Sequence, residues 1–110
     1  MKKVVKVYAD DWANPNGTSF YGSEFDATVN EINDLLGMER EGEINIDDKV
    51  QHEWWCRCIT EDRETFSCTV YDWKEYREYT NDETIGWHIG GKSKEQTDAV
   101  LEWIKENLKK

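Results

Sequence analysis

The sequence predicts an α+β fold: a mainly antiparallel β-sheet in the order β-α-β-β-β-α, with two helices packed on one face. Three observations carry that expectation. Two segments well separated in the chain, Ser23–Leu36 and Ser93–Leu108, place apolar residues at helical spacing. Between them, two β-prone runs flank the polar turn Glu61-Asp62-Arg63-Glu64. A chain of 110 residues is also the size of one domain, residues 1–110, able to bury roughly two thirds of its unfolded surface.

Taken in order, Val4-Val5-Lys6-Val7-Tyr8 is β-branched and short, and reads as the first strand. Asp10 to Gly22 holds the only proline, Pro15, with Asn14, Asn16 and Gly17, and reads as a loop carrying or flanked by Trp12, Phe20 and Tyr21. A helix is expected from Ser23, with Ser23 as its cap, Glu24 and Asp26 at its positive end and Gly37 at its exit. Phe25, Val29, Ile32 and Leu36 form its apolar stripe. Met38 to Lys49 is an acidic connector, with Glu39, Glu41, Glu43, Asp47 and Asp48, and a short strand expected at Ile44-Asn45-Ile46.

Gln51–Thr60 and Thr65–Trp73 form the expected hairpin. Pairing about the turn places Trp54, Cys56, Cys58, Phe66, Cys68 and Val70 on one face, toward the helices. Trp55, Arg57, Ile59, Ser67, Thr69, Tyr71 and Trp73 then share the other, with Trp55, Tyr71 and Trp73 as an aromatic ladder. Lys74–Glu83 reads as a charged loop and Thr84–Ile89 as the last strand. Gly90-Gly91-Lys92 is expected to turn the chain into a helix that starts at Ser93, with a Ser-x-x-Gln capping box completed by Gln96. Val100, Trp103, Ile104 and Leu108 make its buried stripe.

Composition narrows the function classes. Asp and Glu number 24 against 14 Lys and Arg, a formal net charge of −10. That field repels nucleic acid and anionic membrane, so no direct binding to either is expected, and it attracts basic protein surfaces. No apolar stretch has the length of a membrane span or a secretory signal. The three cysteines, Cys56, Cys58 and Cys68, lack a disulfide-framework spacing and indicate a reducing cytoplasm. Six Trp and five Tyr exceed what a thin core needs, and exposed Trp and Tyr are favoured at interfaces.

Several motifs invite chemistry and are discounted. Gly86-Trp87-His88-Ile89-Gly90-Gly91-Lys92-Ser93 matches the phosphate-loop pattern letter for letter, but Trp87-His88-Ile89 reads as strand where the motif needs a loop. A weaker version, an anion held by Gly90, Gly91, Lys92 and Ser93 at a helix start, supports an alternative function as a binder of a nucleotide-like signal. Cys56 and Cys58 lie about 6.6 Å apart on one strand face, with Cys58 expected near Cys68, but a fourth zinc ligand is missing and His52 is too far along the strand. No metal or other cofactor is expected. Neither His52 nor His88 is marked by a partner and pocket as a general base, so no catalytic residue and no enzyme is expected.

The runs Phe66–Arg77 and Trp87–Ser93 resemble small acidic accessory proteins of tailed bacteriophages and mobile elements. That resemblance implies a protein that inhibits a host defence enzyme by direct binding in the host cytoplasm, and it implies no catalytic residues. The expected function is therefore a phage-type inhibitor that docks on a host protein with a basic surface, such as a nuclease. Its contact residues are expected to be Trp12, Tyr21, Trp55, Tyr71 and Trp73 with the acids Glu39, Glu41, Glu43, Asp47 and Asp48. The aromatic face also suits self-association, so a homo-oligomer is a further expectation.

Overall fold

Period-two burial, not helical periodicity, governs residues 23–27. Ser23, Phe25 and Ala27 are buried while Glu24 and Asp26 between them are exposed, the signature of a strand with one covered face. The structure, a computed structural model, describes residues 2–10, 12–14, 16–37, 50 and 52–108. Its elements are β1 (Val4–Ala9), β2 (Ser19–Ala27), α1 (Val29–Leu36), β3 (Glu53–Thr60), β4 (Thr65–Tyr71), β5 (Ile85–Gly91) and α2 (Lys94–Asn107). The α+β class with an antiparallel sheet holds, but β2 stands where a loop and the start of a helix were expected.

The reason for that error is physical. Phe25 fits a helical stripe with Val29, Ile32 and Leu36 and also a strand alternation with Ser23 and Ala27. The sheet takes it, because β2 pairs with β5 from Ala27 opposite Ile85 to Ser19 opposite Gly91. Gly22, at φ +96, sits where the register slips between Phe20 and Glu24, a bulge conformation that glycine adopts without strain. The helix begins six residues after Ser23, at Val29, and its cap is Thr28. Thr28 Oγ1 accepts the Glu31 N–H and Glu31 returns a carboxylate to the Thr28 N–H, a complete capping box. Gly37 closes the helix at φ +76, its N–H on the Asn33 carbonyl.

The sheet has five strands in the order β1-β3-β4-β5-β2, every pair antiparallel. The β3–β4 hairpin forms about the expected turn: Thr60 and Glu64 close it, and Arg63 takes the left-handed conformation at φ +67. Trp54 lies opposite Val70, Cys56 opposite Cys68 and Cys58 opposite Phe66. Cys56, not Cys58, is therefore the direct neighbour of Cys68, although the Cys58 and Cys68 sulfurs still approach to 3.1 Å across the diagonal. All three cysteines are free and buried. A hydrogen bond to Cys68 and burial push the Cys56 thiol well up, and burial does the same to Cys58, which leaves both poor nucleophiles.

Both helices cover one face. Val29, Ile32 and Leu36 of α1 and Val100, Trp103 and Ile104 of α2 join one core with Val4, Val7, Trp54, Val70, Trp87 and Ile89 from the strands. Trp54 and Trp87 meet edge to face with centroids 5.3 Å apart, and their indole N–H groups are satisfied by Asn33 and the Ala27 carbonyl. The last strand runs on to Gly91, two residues past the expected end. Gly90 and Gly91 are therefore strand residues, not a turn. A Cβ on Gly90 would lie 2.6 Å from Thr69 Oγ1, and one on Gly91 2.7 Å from Thr97 Cγ2, so close packing accounts for both. Ser93 caps α2 through the Gln96 N–H, but the Gln96 side chain faces the Lys92 N–H and leaves the expected box half made.

Candidate functional site

The opposite face of the sheet carries no helix among the described residues, and the strand registers assemble it row by row. One row runs Glu53, Tyr71, His88, Glu24 across β3, β4, β5 and β2. The next runs Trp55, Thr69, Gly90, Phe20 across the same strands. The first has an aromatic centre with a carboxylate at each end. The second has a small centre between two aromatic ends. Trp73 follows Tyr71 and its ring meets Tyr71 at 6.3 Å, edge on.

His88 ties the aromatics together. Phe20 stacks on its ring at 4.0 Å, Tyr71 meets it edge on at 5.5 Å and Trp73 lies parallel to it at 6.3 Å. Its Nε2 is 3.4 Å from Glu24 Oε1. Trp55 donates its indole N–H to Glu53 Oε1 at 2.6 Å. Burial raises the Tyr71 hydroxyl, and the Glu53 charge adds to that, so the phenol stays neutral. Phe20, Trp55 and Trp73 remain 41, 40 and 42 % exposed, which makes them a platform rather than a core.

A buried polar network holds the segment that presents Trp73. Asp72, fully buried, accepts the His52 N–H at 3.0 Å and the Tyr79 hydroxyl at 2.6 Å, while its own N–H donates to the His52 carbonyl. The Tyr79 proton is used on Asp72, so the 2.5 Å contact between Tyr79 and His52 Nδ1 requires the imidazole to donate. Burial, and then the bond to Asp72, drives the Tyr79 hydroxyl well up, so it acts as a structural donor. Between these anchors Lys74 and Tyr76 adopt left-handed backbone, φ +53 and +49, uncommon for residues with side chains. Lys74 Nζ lies 5.6 Å over the Trp73 ring.

The structure brings Trp55, Tyr71 and Trp73 together, as the hairpin register predicts. It adds Phe20, His88, Glu24 and Glu53, which the sequence reading did not place on that face. Trp12, 90 % exposed, stands apart on the loop after β1, where its N–H bonds Asp10. Asp10 in turn receives the Arg57 guanidinium at 3.0 Å and gives its own N–H to the Trp55 carbonyl. Tyr21 turns toward the start of α2, its hydroxyl donating to the Lys92 carbonyl at 3.2 Å. Glu39, Glu41, Glu43, Asp47 and Asp48, and the short strand expected at 44–46, lie outside the described residues. No protein-family model matches the chain, and neither does any curated protein or solved structure compared with it. What the face does has to be read from its own chemistry.

Other placements bear on the discounted motifs. With Gly90 and Gly91 paired in β5, the amides of a phosphate loop are absent from Gly86–Ser93, and the helix start at Ser93 is capped by its own hydroxyl. Among the described residues, no group of three or more His, Cys, Asp or Glu side chains is placed to hold a metal ion. No described helix is long and apolar enough to cross a membrane.

Proposed function

We propose that the protein is a non-enzymatic binding protein whose open sheet face docks on a basic surface of a partner protein. The observation that carries this reading is the row Glu53-Tyr71-His88-Glu24: rigid, partly exposed aromatics with a carboxylate at each end. Aromatic sheet faces of this shape also stack nucleic-acid bases, but those faces surround the rings with Lys and Arg. Here Glu53 and Glu24 end the aromatic row, Lys74 is the cation over its Trp73 ring, and the whole chain carries −10, which supports a basic protein partner instead. A phage-type inhibitor that occupies the basic cleft of a nucleic-acid-handling or defence protein is the functional class this chemistry suits best. Trp55, Tyr71 and Trp73 would be its anchors, with Phe20 beside them.

The test is affinity capture from host lysate at low salt, run in parallel with a variant carrying Trp55→Ala and Glu24→Lys. The expected result is a stoichiometric protein retained by the unaltered chain, released by raising salt and lost from the variant. Equal retention by both, or no retained protein, would remove the open face as the docking surface.

A further inference from the structure

The open face has a hollow whose shape and lining are more specific than a general docking surface. It lies between the two rows, lined by Gly90, Thr69, Tyr71, Trp73 and Glu53, together with Thr18, Ser19 and Val50. Resting on the docking reading above, we infer that this hollow receives a single arginine side chain of the partner.

Size argues first. The hollow holds about 220 Å³, below the ~300 Å³ at which pockets for drug-sized ligands begin. One long side chain fits it; a nucleotide does not. A Cβ at Gly90 would meet Thr69 Oγ1 at 2.6 Å and Tyr71 at 3.4 Å, so glycine keeps the region beneath the hollow low.

Chemistry argues next. Glu53 Oε1 is engaged by the Trp55 indole, while Oε2 accepts no hydrogen bond among the described residues. An occupant that donates to Oε2 while lying on an aromatic ring needs a planar cation with N–H groups at its edge. A guanidinium has that form, and an ammonium, a hydrated point charge, does not. The ring already attracts a cation within the fold: Lys74 sits over Trp73 at 5.6 Å. The Lys74 charge, beside the same ring, opposes a second cation there, so removing it strengthens binding.

The experiment follows the tryptophan indole N–H signals by NMR while N-acetyl-arginine amide is added, with the citrulline analogue, isosteric and neutral, as the comparison. The expected result is saturable movement of the Trp73 and Trp55 signals in the millimolar range with arginine and none with citrulline. Glu53→Gln should weaken binding about tenfold, because it removes a charge-assisted hydrogen bond. Lys74→Gln should tighten it. Equal response to citrulline, or no movement with arginine, overturns the inference. The docking reading fails separately, when Trp55→Ala with Glu24→Lys leaves partner capture unchanged. Loss of capture in that variant without any arginine response would leave the face intact and remove only the arginine slot.

Discussion

The two faces of the sheet are built from adjacent residues and have opposite characters. Trp54 and Trp55 are neighbours in β3, yet Trp54 is 1 % exposed beneath the helices while Trp55 is 40 % exposed on the open side. Trp87 and His88 repeat the contrast in β5. On the covered face Trp54 and Trp87 meet each other and His52 within the aliphatic core, and donate their N–H groups to Asn33 and the Ala27 carbonyl. On the open face they meet one another, a histidine and two carboxylates. The difference teaches that aromatic content by itself does not distinguish a core from a site. What separates them is whether the second layer of contacts is a helix or solvent.

The largest test of that contrast is on the covered side. Trp87→Ala or Trp54→Ala should cost about 3–5 kcal/mol, seen as a lower midpoint in chemical denaturation. Trp55→Ala or Trp73→Ala should stay within about 1 kcal/mol while weakening partner binding. If the open-face variants unfold as readily as the covered ones, the division into core and platform is wrong.

The buried network under Trp73 comes next. Tyr79→Phe removes the hydroxyl that bonds both Asp72 and His52, two buried hydrogen bonds at once, which should cost about 1–3 kcal/mol in the same denaturation assay. It should also alter Trp73 fluorescence, because Asp72 and Tyr79 bracket the segment that presents that ring. Gly90→Ala sharpens the comparison from the open side. The added methyl collides with Thr69 Oγ1, so a loss of about 1–3 kcal/mol is expected, with recovery in the Thr69→Ala background. Absence of that recovery would place the strain elsewhere.

The smallest effect concerns the loop that carries Trp12. The Trp12 N–H and the Arg57 guanidinium hold the Asp10 carboxyl below its ordinary value of 3.8. A depressed folded value means the tie is complete above the unfolded value and is lost as pH falls through the folded one. Trp12 fluorescence should therefore be flat near neutrality and change only below about pH 4, and Asp10→Asn should abolish that acid transition. A change centred near pH 6 would point to a histidine instead.

The hairpin, its turn and its facial alternation were legible in the sequence. Trp55, Tyr71 and Trp73 share a face because period two operates within each strand once the turn is located. The second helix was legible for the same reason, its stripe and Ser93 cap being local. The start of the first helix is ambiguous in the sequence because Phe25 satisfies two periods at once, and only the Thr28-x-x-Glu31 box marks where the helix begins. Glu53 has the parity of Trp55 and His88 alternates with Trp87, so both carried a signal that strand alternation alone supplies.

Local pattern, in short, determined which residues turn inward and outward within a segment, and with it the α+β class and the aromatic ladder. Tertiary structure alone decided that Glu53, Tyr71, His88 and Glu24 form one row, that Phe20 stacks on His88, and that two glycines of an apparent phosphate loop are strand residues pressed against Thr69 and Thr97. Apart from Gly91 on Thr97, those contacts join different strands of the sheet. They follow from strand order and from the bulge at Gly22, and side-chain periodicity within a strand carries no information about which strand lies next to it.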